Sequence, residues 1–274
     1  MTVIDFRLRP PTEEYKESFR GLGALFGNIA PDTYYNSSLE ACIKEMEELD
    51  MVAVLMGRQA PPALAVSNDH IKKLVDDYPK RFIPFAGIDP AKRRVCQDEI
   101  DRIAKLGFKG VSFDHGFLEP PMLQNDKRLY PIYAQCEDLG LIVCLQCGPI
   151  SGPDLSYASP LPVQQVAKDF PKLQILIAHG CWPFIDEVLA IMFSRPNVWL
   201  SPDSYLFRPG GHKYVEICNF SGSPMQDRCV YGSCYPFGPG IKARLQDWKK
   251  LPWDEAIMEK VLYNNGARLL GLES

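Results

Sequence analysis

The chain has 274 residues, of which 46% are hydrophobic, and it carries a formal net charge of −4. This length and apolar content suffice for a full-size buried core, and they fit one (β/α)8 barrel of about 250 residues. The slightly acidic balance argues against a nucleic-acid-binding or anionic-membrane-binding face, and only four histidines are present for histidine-based metal sites.

The cysteines and the N-terminal residues indicate the compartment. There are nine cysteines, an odd number, and most of them lie inside apolar runs. Residues 1–10 contain Asp5, Arg7 and Arg9 where a signal peptide would need an apolar core, and no apolar run approaches the length of a membrane span. The sequence therefore predicts a cytoplasmic protein with free thiols and no membrane partner.

Short apolar runs alternate with helical patterns along the chain. The runs predict strands at residues 2–6, 52–56, 82–86, 108–113, 141–145, 173–178, 198–200 and 229–231. The patterns predict helices at residues 39–49 (capped by Ser38), 68–78 (capped by Asn68), 93–105, 129–139, 163–169, 184–193 and 212–220, and two or three more from residue 241. Residues 13–36 contain three glycines and several aromatic residues, which predicts a long loop.

Eight consecutive strand–helix units indicate a parallel sheet. No G-x-G-x-x-G follows the first strand, and eight units favour a closed barrel over an open sheet. We therefore predict an α/β fold, with residues 1–274 forming a single (β/α)8 TIM-barrel domain. In such a barrel, the carboxyl ends of the strands form the active face.

Polar side chains follow most of the predicted strands. Alternation along the first strand places Asp5, Arg7 and Arg9 on one face, and His179 ends the sixth strand. A lone histidine can simply bond to a nearby carbonyl, but the polar ends of the other strands favour a functional role. The other candidates at or near this face are Arg58, Asp114, His115, Gln146, Asp203 and Cys234, with Trp182, Tyr205 and Tyr235 as aromatic residues that either line a pocket or only pack.

Short motifs run along nearly the whole chain. They are residues 4–5 (Ile-Asp), 107–111, 126–133, 139–140, 178–180 (Ala-His-Gly), 227–228, 231–236 (Tyr-Gly-Ser-Cys-Tyr-Pro) and 265–272. In these stretches and in this order, the sequence resembles the amidohydrolase-2 family, which includes aminocarboxymuconate-semialdehyde decarboxylase and related ring-acid decarboxylases and lactone hydrolases. The resemblance implies a TIM barrel of the amidohydrolase type.

The resemblance also implies a metal site that this sequence does not reproduce. Family members usually bind a divalent metal, often zinc, through His-x-His after the first strand and a His after the fifth. Some members also use the His after the sixth strand as a ligand. An Asp in Gly-Ser-Asp-Tyr-Pro, after the eighth strand, is another ligand. The corresponding positions hold Arg7, Arg9, Gln146 and Cys234, and only His179 matches. Arginine offers no usable lone pair and stays protonated, so the usual site cannot be filled in the usual way.

Our first hypothesis is an enzyme without a metal or other cofactor. Arg7 and Arg9 would supply fixed positive charge for a carboxylate or an oxyanion. His179 would act as general acid and base, and Asp203 would orient it or act as a base itself. Cys234 would be a nucleophile if the neighbouring cations lower its pKa, and otherwise an inert small residue. The substrate would be a small carboxylate that is hydrolysed at a C–O or C–N bond or decarboxylated.

In this first hypothesis the remaining polar and aromatic side chains contact the substrate. They are Asp5, Arg58, Asp114, His115, Gln146, Trp182, Tyr205 and Tyr235.

Two alternatives stay open. In one, zinc or another divalent metal is bound at a rebuilt site by His179, Asp203 and Cys234. In the other, the protein is a catalytically inactive ligand-binding member of the family, in which arginines and aspartates only hold the barrel mouth together. The sequence does not decide whether the chain forms a homo-oligomer.

Overall fold

A single sheet of parallel strands organises the protein, which is described here from a computed structural model that covers residues 2–27 and 30–272. The strands are β1 (Val3–Asp5), β2 (Met51–Met56), β3 (Phe82–Gly87), β4 (Gly110–Phe113), β5 (Ile142–Gln146), β6 (Ile175–Ala178) and β7 (Val198–Ser201). They lie side by side in sequence order, and every neighbouring pair is parallel.

The sheet closes through a short extended segment instead of an eighth regular strand. Cys229 forms an isolated parallel bridge with Leu200 of β7. On the other side, the Phe6 amide donates to the Tyr231 carbonyl at 3.0 Å, next to β1. The Tyr231 amide donates to the Val261 carbonyl, so it does not extend the strand ladder. The predicted eighth strand is thus reduced to a bridge, while the predicted TIM-barrel architecture is confirmed.

Helices follow the strands and cover the outside of the barrel. They are α1 (Glu13–Phe26), α2 (Asp32–Tyr35), α3 (Leu39–Glu48), α4 (Asn68–Asp77), α5 (Arg93–Lys105), α6 (Tyr130–Asp138), α7 (Leu161–Asp169), α8 (Ile185–Ser194), α9 (His212–Asn219), α10 (Ile241–Lys250), α11 (Glu255–Glu259) and α12 (Asn265–Leu270). A π-helical turn, Lys260–Asn264, joins α11 to α12. Short 3₁₀ turns follow several strand ends, among them His179–Cys181 after β6 and Asp203–Phe207 after β7.

The prediction of a loop over residues 13–36 is wrong, because this segment contains α1 and α2. Two glutamates open α1, where the helix dipole favours negative charge. Phe19 and Leu22 are among its buried residues, one turn apart. Gly21 allows α1 to pack tightly, since an added Cβ would lie 2.1 Å from the Ala63 carbonyl oxygen. Of the three glycines that suggested a loop, Gly21 therefore serves helix packing, and Gly27 ends the helix.

The start of α4 also differs from the prediction. Ser67, not Asn68, caps this helix, since its hydroxyl accepts the backbone N–H of His70 at 3.1 Å. The Asn68 side chain instead bonds to both backbone groups of Gly87 at the end of β3. This bonding ties the helix start to the barrel.

The apolar side chains form three buried groups. The largest lies between the sheet and the surrounding helices, and a second fills the barrel interior. The third is a small cluster at the barrel mouth that contains Phe19, Leu22, Tyr34 and Leu64. Within the described residues, no helix has the length and apolar character to cross a membrane.

Candidate active site

A cavity of about 440 Å³ opens at the carboxyl ends of the strands. Most of the polar and aromatic residues predicted for the site line it, namely Arg7, Arg9, Arg58, Asp114, Gln146, His179, Trp182, Tyr205, Cys234 and Tyr235. Its position agrees with the face that a barrel uses for chemistry. The structure therefore brings together side chains that are up to 228 positions apart in the sequence, from Arg7 to Tyr235.

Three of these strand ends turn through the left-handed backbone region. The φ angles are 66° at His179, 42° at Asp203 and 57° at Cys234. A non-glycine residue in this region costs about 1 to 3 kcal/mol and is common at active sites. The turns direct the side chains of three successive strand ends toward one point at the barrel mouth, because the side-chain donor atoms of the three residues all lie within 4.8 Å of one another.

Arg7, His179 and Asp203 form a compact buried group. The Nη2 of Arg7 donates to the Nε2 of His179 at 3.0 Å. The Nδ1 of His179 lies 2.9 Å from Oδ2 of Asp203, although the ring N–H is not aligned with that oxygen. The same oxygen accepts the His179 backbone N–H at 3.1 Å and lies 3.5 Å from the Nε of Arg7. The carboxylate thus holds both the histidine and the arginine.

The charge states of this group follow from burial and mutual contact. Burial alone would raise the pKa of Asp203, but His179 and Arg7 outweigh it and the pKa is lowered, so Asp203 is a carboxylate. Burial lowers the pKa of His179, and repulsion from the Arg7 cation lowers it further. The Asp203 carboxylate raises this pKa, but the lowering prevails. The imidazole is therefore neutral at neutral pH. Since Arg7 can only donate, Nε2 is the acceptor and we assign the ring proton to Nδ1.

Cys234 does not have the activated thiolate of our first hypothesis. Burial raises the pKa of its thiol to about 11, and the Asp203 carboxylate adds to the rise, while Arg7 opposes it. The neighbouring arginines do lower this pKa, as predicted, but burial outweighs them, which agrees with the alternative of an inert small residue. A thiol is the dominant form at neutral pH, and a thiol is a weak nucleophile and a poor metal ligand.

The arginines of the cavity differ in their partners. Arg58 and Asp114 form an ion pair, with Nε and Oδ2 separated by 2.7 Å. Arg9 donates to the carbonyl of Leu8 at 3.0 Å, and within residues 2–27 and 30–272 it forms no ion pair. Burial lowers the pKa of Arg9 to about 10, and repulsion from Arg7 contributes. Arg9 remains a cation at neutral pH, so the cavity contains a positive charge that no protein carboxylate neutralises.

Gln146 is buried at the end of β5 with unused hydrogen-bonding capacity. Its Nε2 donates to the Ser112 hydroxyl at 3.0 Å. Its Oε1 has no hydrogen-bond partner in the described chain. An unpaired buried amide oxygen costs about 1 to 3 kcal/mol. The unpaired oxygen of this side chain can form a further hydrogen bond with a ligand.

Asp5 and His115 do not line the cavity. Asp5 is fully buried, and its Oδ1 accepts the backbone N–H groups of Arg7 at 2.8 Å and Ser233 at 2.9 Å. His115 is also buried, and its Nε2 lies 3.1 Å from the Tyr157 carbonyl oxygen. Both residues hold loops of the mouth in place, and neither is in a position for the predicted substrate contact.

Several cavity residues were not predicted from the sequence. Arg208 lies at the rim after β7, and Ser112 lies at the end of β4. Four residues of α1 form one wall, namely Tyr15, Ser18, Phe19 and Leu22. Their spacing of three or four residues is typical of one helix face, but the glycines of this segment favour a loop prediction.

The residues at the mouth do not fit a divalent metal. His179, Asp203 and Cys234 are the one group in the described chain with three potential donor atoms close together. However, the His179 Nε2 already accepts the Arg7 Nη2 at 3.0 Å. A dication bound there would also face the Arg7 guanidinium at close range. Arg7 thus takes up the lone pair and the space that a metal would need.

Comparisons with known proteins agree with the motifs of the sequence. The model of a family described as amidohydrolase matches residues 4–272. A 2-amino-3-carboxymuconate-6-semialdehyde decarboxylase from Dictyostelium discoideum is 26% identical over 266 residues, which cover 84% of this chain and 73% of that protein.

Solved structures show the same architecture. An uncharacterized TIM-barrel protein from Bordetella bronchiseptica is 34% identical, with a TM-score of 0.88 and 99% of each chain covered. A dihydroxybenzoic acid decarboxylase from Polaromonas sp. JS666, solved with bound manganese and an inhibitor, is 18% identical with a TM-score of 0.72, and the match covers 99% of this chain and 97% of that one. This second likeness supports the fold alone.

Proposed function

This chain belongs to the amidohydrolase family, and we propose that it is an enzyme that acts on a small carboxylated compound with a guanidinium, not a metal ion, at its centre. The observation that carries the proposal is the 3.0 Å contact between the Arg7 Nη2 and the His179 Nε2. This contact puts a fixed cation next to a neutral imidazole at the mouth of the barrel. Both groups are held by the Asp203 carboxylate.

The charges of the cavity support an anionic substrate. Four arginines line it, while Asp114 is the single carboxylate in the described part of the wall and is already paired with Arg58. Arg9 has no acidic partner among the residues that the structure describes, and a guanidinium binds a carboxylate through two parallel hydrogen bonds. We therefore assign the carboxylate of the substrate to Arg9.

The reaction that suits these groups best is hydrolysis. A substrate oxygen that gains negative charge is a better partner for Arg7 than the neutral His179 ring, so Arg7 moves its hydrogen bond from Nε2 to that oxygen. The freed Nε2 takes a proton from a water whose oxygen bonds to the acyl carbon, and Asp203 stabilises the imidazolium that forms. The C–O or C–N bond then breaks, and the imidazolium returns its proton to the leaving oxygen or nitrogen. Because the pKa of His179 is lowered, the ring is in the base form at neutral pH.

Decarboxylation is the second candidate, and the similarity to the Dictyostelium decarboxylase favours it. The geometry supports it less well. An arginine that binds the departing carboxylate stabilises the ground state more than the transition state, in which that charge is lost. The carbon would also need a proton donor, and a neutral His179 is a weak acid. Cys234, with its protonated thiol, is one further donor in the cavity wall.

A substrate panel tests the proposal. Protein purified without a histidine tag or chelator is incubated with carboxylated lactones, carboxylated amides and ring carboxylic acids, and products and released CO2 are measured. We expect ring opening or amide cleavage that chelators do not inhibit and that His179→Ala abolishes. CO2 release that depends on His179 would instead support decarboxylation.

Two further outcomes would contradict the proposal. Near-stoichiometric zinc or manganese in the purified protein, with activity that follows metal content, would support a rebuilt metal site. Tight binding of carboxylates without turnover of any compound, unchanged in His179→Ala, would support an inactive ligand-binding protein.

A further inference from the structure

The cavity has one wall without charged groups, and α1 forms it. Tyr15, Ser18, Phe19 and Leu22 face the cavity from this helix. The charged side chains of α1 are absent from the wall and instead contact one another or the neighbouring Ser67 cap. Phe117, Ile150 and Phe237 also line the cavity.

The polar atoms on this face of α1 are already used by the protein. The Tyr15 hydroxyl donates to the Met56 carbonyl at 3.1 Å, and the Ser18 hydroxyl donates to the Leu64 carbonyl at 2.7 Å. Neither hydroxyl has a proton left for a ligand. Phe19 and Leu22 therefore determine what this wall can bind, and they bind apolar groups.

The apolar wall is also held rigidly. The Phe19 ring packs edge-on against Tyr34 and Phe237, with centroids 5.4 Å and 5.3 Å apart. Gly21 contacts the segment around Ala63 so closely that no side chain fits between them. A wall that is fixed before binding loses little entropy when a ligand contacts it.

The strand ends carry the charges of the same cavity. Arg7, Arg9, Arg58 and Asp114 belong to β1, β2 and β4 or to the residues that follow them, whereas α1 presents only carbon surface and used hydroxyls. A ligand that contacts both the charged strand ends and the α1 wall favourably has an acidic end and an uncharged, apolar body. Small polar acids would satisfy only the charged part.

We propose that α1 forms an apolar subsite, and that the substrate is a carboxylate with an alkyl or aryl body that packs against Phe19 and Leu22. The acidic half of this inference rests on the proposed function, while the apolar half does not. Burial of a leucine-sized contact is worth about 1.5 to 3 kcal/mol, which corresponds to at least a tenfold change in affinity.

Calorimetric titration with four probes tests this inference. The probes are 3-phenylpropionate, its neutral analogue 3-phenylpropionamide, the polar acid gluconate, and acetate. We expect 3-phenylpropionate to bind at least tenfold more tightly than gluconate or acetate. Leu22→Asn should remove this preference and leave the affinity for the two polar acids unchanged.

The matched control is Leu25→Asn on the same helix, because Leu25 is exposed and does not line the cavity. It should bind all four probes like the wild type. If thermal melting shows that Leu22→Asn is unfolded, Leu22→Ala replaces it. Leu22→Ala should also reduce the preference for 3-phenylpropionate, but by a smaller factor.

The outcomes separate this inference from the proposed function. Equal affinity for 3-phenylpropionate and gluconate, unchanged in the Leu22 variant, would overturn the apolar subsite and leave carboxylate binding intact. Binding of the neutral amide that depends on Leu22, with no binding of any acid, would support the subsite and overturn the carboxylate substrate. No binding of any probe would overturn both.

Discussion

Two buried arginines, at opposite ends of the barrel, have contrasting surroundings. Arg228 precedes the closing segment, and its guanidinium donates to the backbone carbonyls of Arg195, Val198 and Met192 at 2.6 to 3.1 Å. Arg7 is equally hidden, but its two terminal nitrogens donate to a neutral imidazole and, at 3.6 Å, to a thioether sulfur. Arg228 is satisfied by the fold, whereas Arg7 has partners that an anion would displace.

Two buried side-chain amides, at opposite ends of the barrel, also differ in how completely they are hydrogen-bonded. Asn197, at the start of β7, donates to the carbonyls of Ala167, Phe170 and Leu173 at 3.0 to 3.1 Å. Gln146, at the end of β5, leaves its Oε1 without a partner in the described residues. The bonded side-chain nitrogens of Asn197 and Arg228, at the amino ends of the strands, support stability. Incomplete bonding at the carboxyl ends indicates a surface prepared for a ligand.

Stability measurements on the two arginines give the largest expected contrast. Arg228→Met leaves three buried carbonyls without donors, so we expect it to lower the free energy of unfolding by about 3 to 5 kcal/mol. Arg7→Met removes the 3.5 Å ion pair with Asp203, but that carboxylate keeps the His179 backbone N–H, so we expect a smaller loss than in Arg228→Met. Urea denaturation measures both values. Equal losses in the two variants would contradict the assigned difference.

For activity, substitution of Arg7 should have a larger effect than substitution of Arg228, the opposite of the order for stability. Arg7→Met is expected to lower kcat/KM by about 100- to 1,000-fold, because it removes a donor to developing negative charge. Arg7→Lys keeps the charge without the planar geometry and should recover part of the loss. Initial rates with the best substrate of the panel measure this effect. If Arg7→Met retains wild-type rates, Arg7 is a structural residue like Arg228.

The pH profile tests the contact between Asp203 and His179. Because the folded pKa of His179 is below the ordinary value of about 6.5, activity should persist below that pH and fall only in more acidic solution. Asp203 opposes this lowering, so Asp203→Asn should move the acid limb to still lower pH. We also expect it to reduce kcat by about 100-fold through loss of imidazolium stabilisation. An acid limb that moves upward would exclude this role.

Replacement of Gln146 gives the smallest effect, and its sign is unusual for a buried residue. Gln146→Leu removes the unpaired Oε1 and should raise the free energy of unfolding by about 1 kcal/mol. The matched variant Asn197→Leu removes three hydrogen bonds and should lower it. Thermal melting compares the two. A loss of stability in Gln146→Leu would indicate that its contact with Ser112 outweighs the unpaired oxygen.

Most of the barrel could be predicted from the sequence. The seven strands lie within a few residues of the predicted runs, because buried parallel strands are short apolar segments with polar ends. Helix α5 has the predicted bounds, Arg93–Lys105. Helix α1 was missed because the role of Gly21 depends on Ala63, which is distant in the sequence. The closing segment has too few strand contacts for a regular strand.

The convergence of the strand-end residues could be predicted, but their charge states and the wall formed by α1 could not. Strand ends converge in any barrel, so the grouping of Arg7, His179, Asp203 and Cys234 follows from the fold. The pKa of Cys234 does not follow, since burial outweighs the nearby cations and burial depends on packing. The hydrogen bond between Arg7 and His179 likewise depends on side-chain conformations that no sequence pattern fixes.

The closing segment of the barrel has a consequence for motion. Between β7 and β1 the sheet is joined by a single bridge and a few backbone hydrogen bonds, while the other neighbouring strands pair along three or four residues. Local opening starts where the fewest bonds must break. The amides of Phe6 and Val230 should therefore exchange with solvent faster than those inside β5. Arg7 and Cys234 follow the two segments that meet at this join, so we expect local opening there to reach the active site.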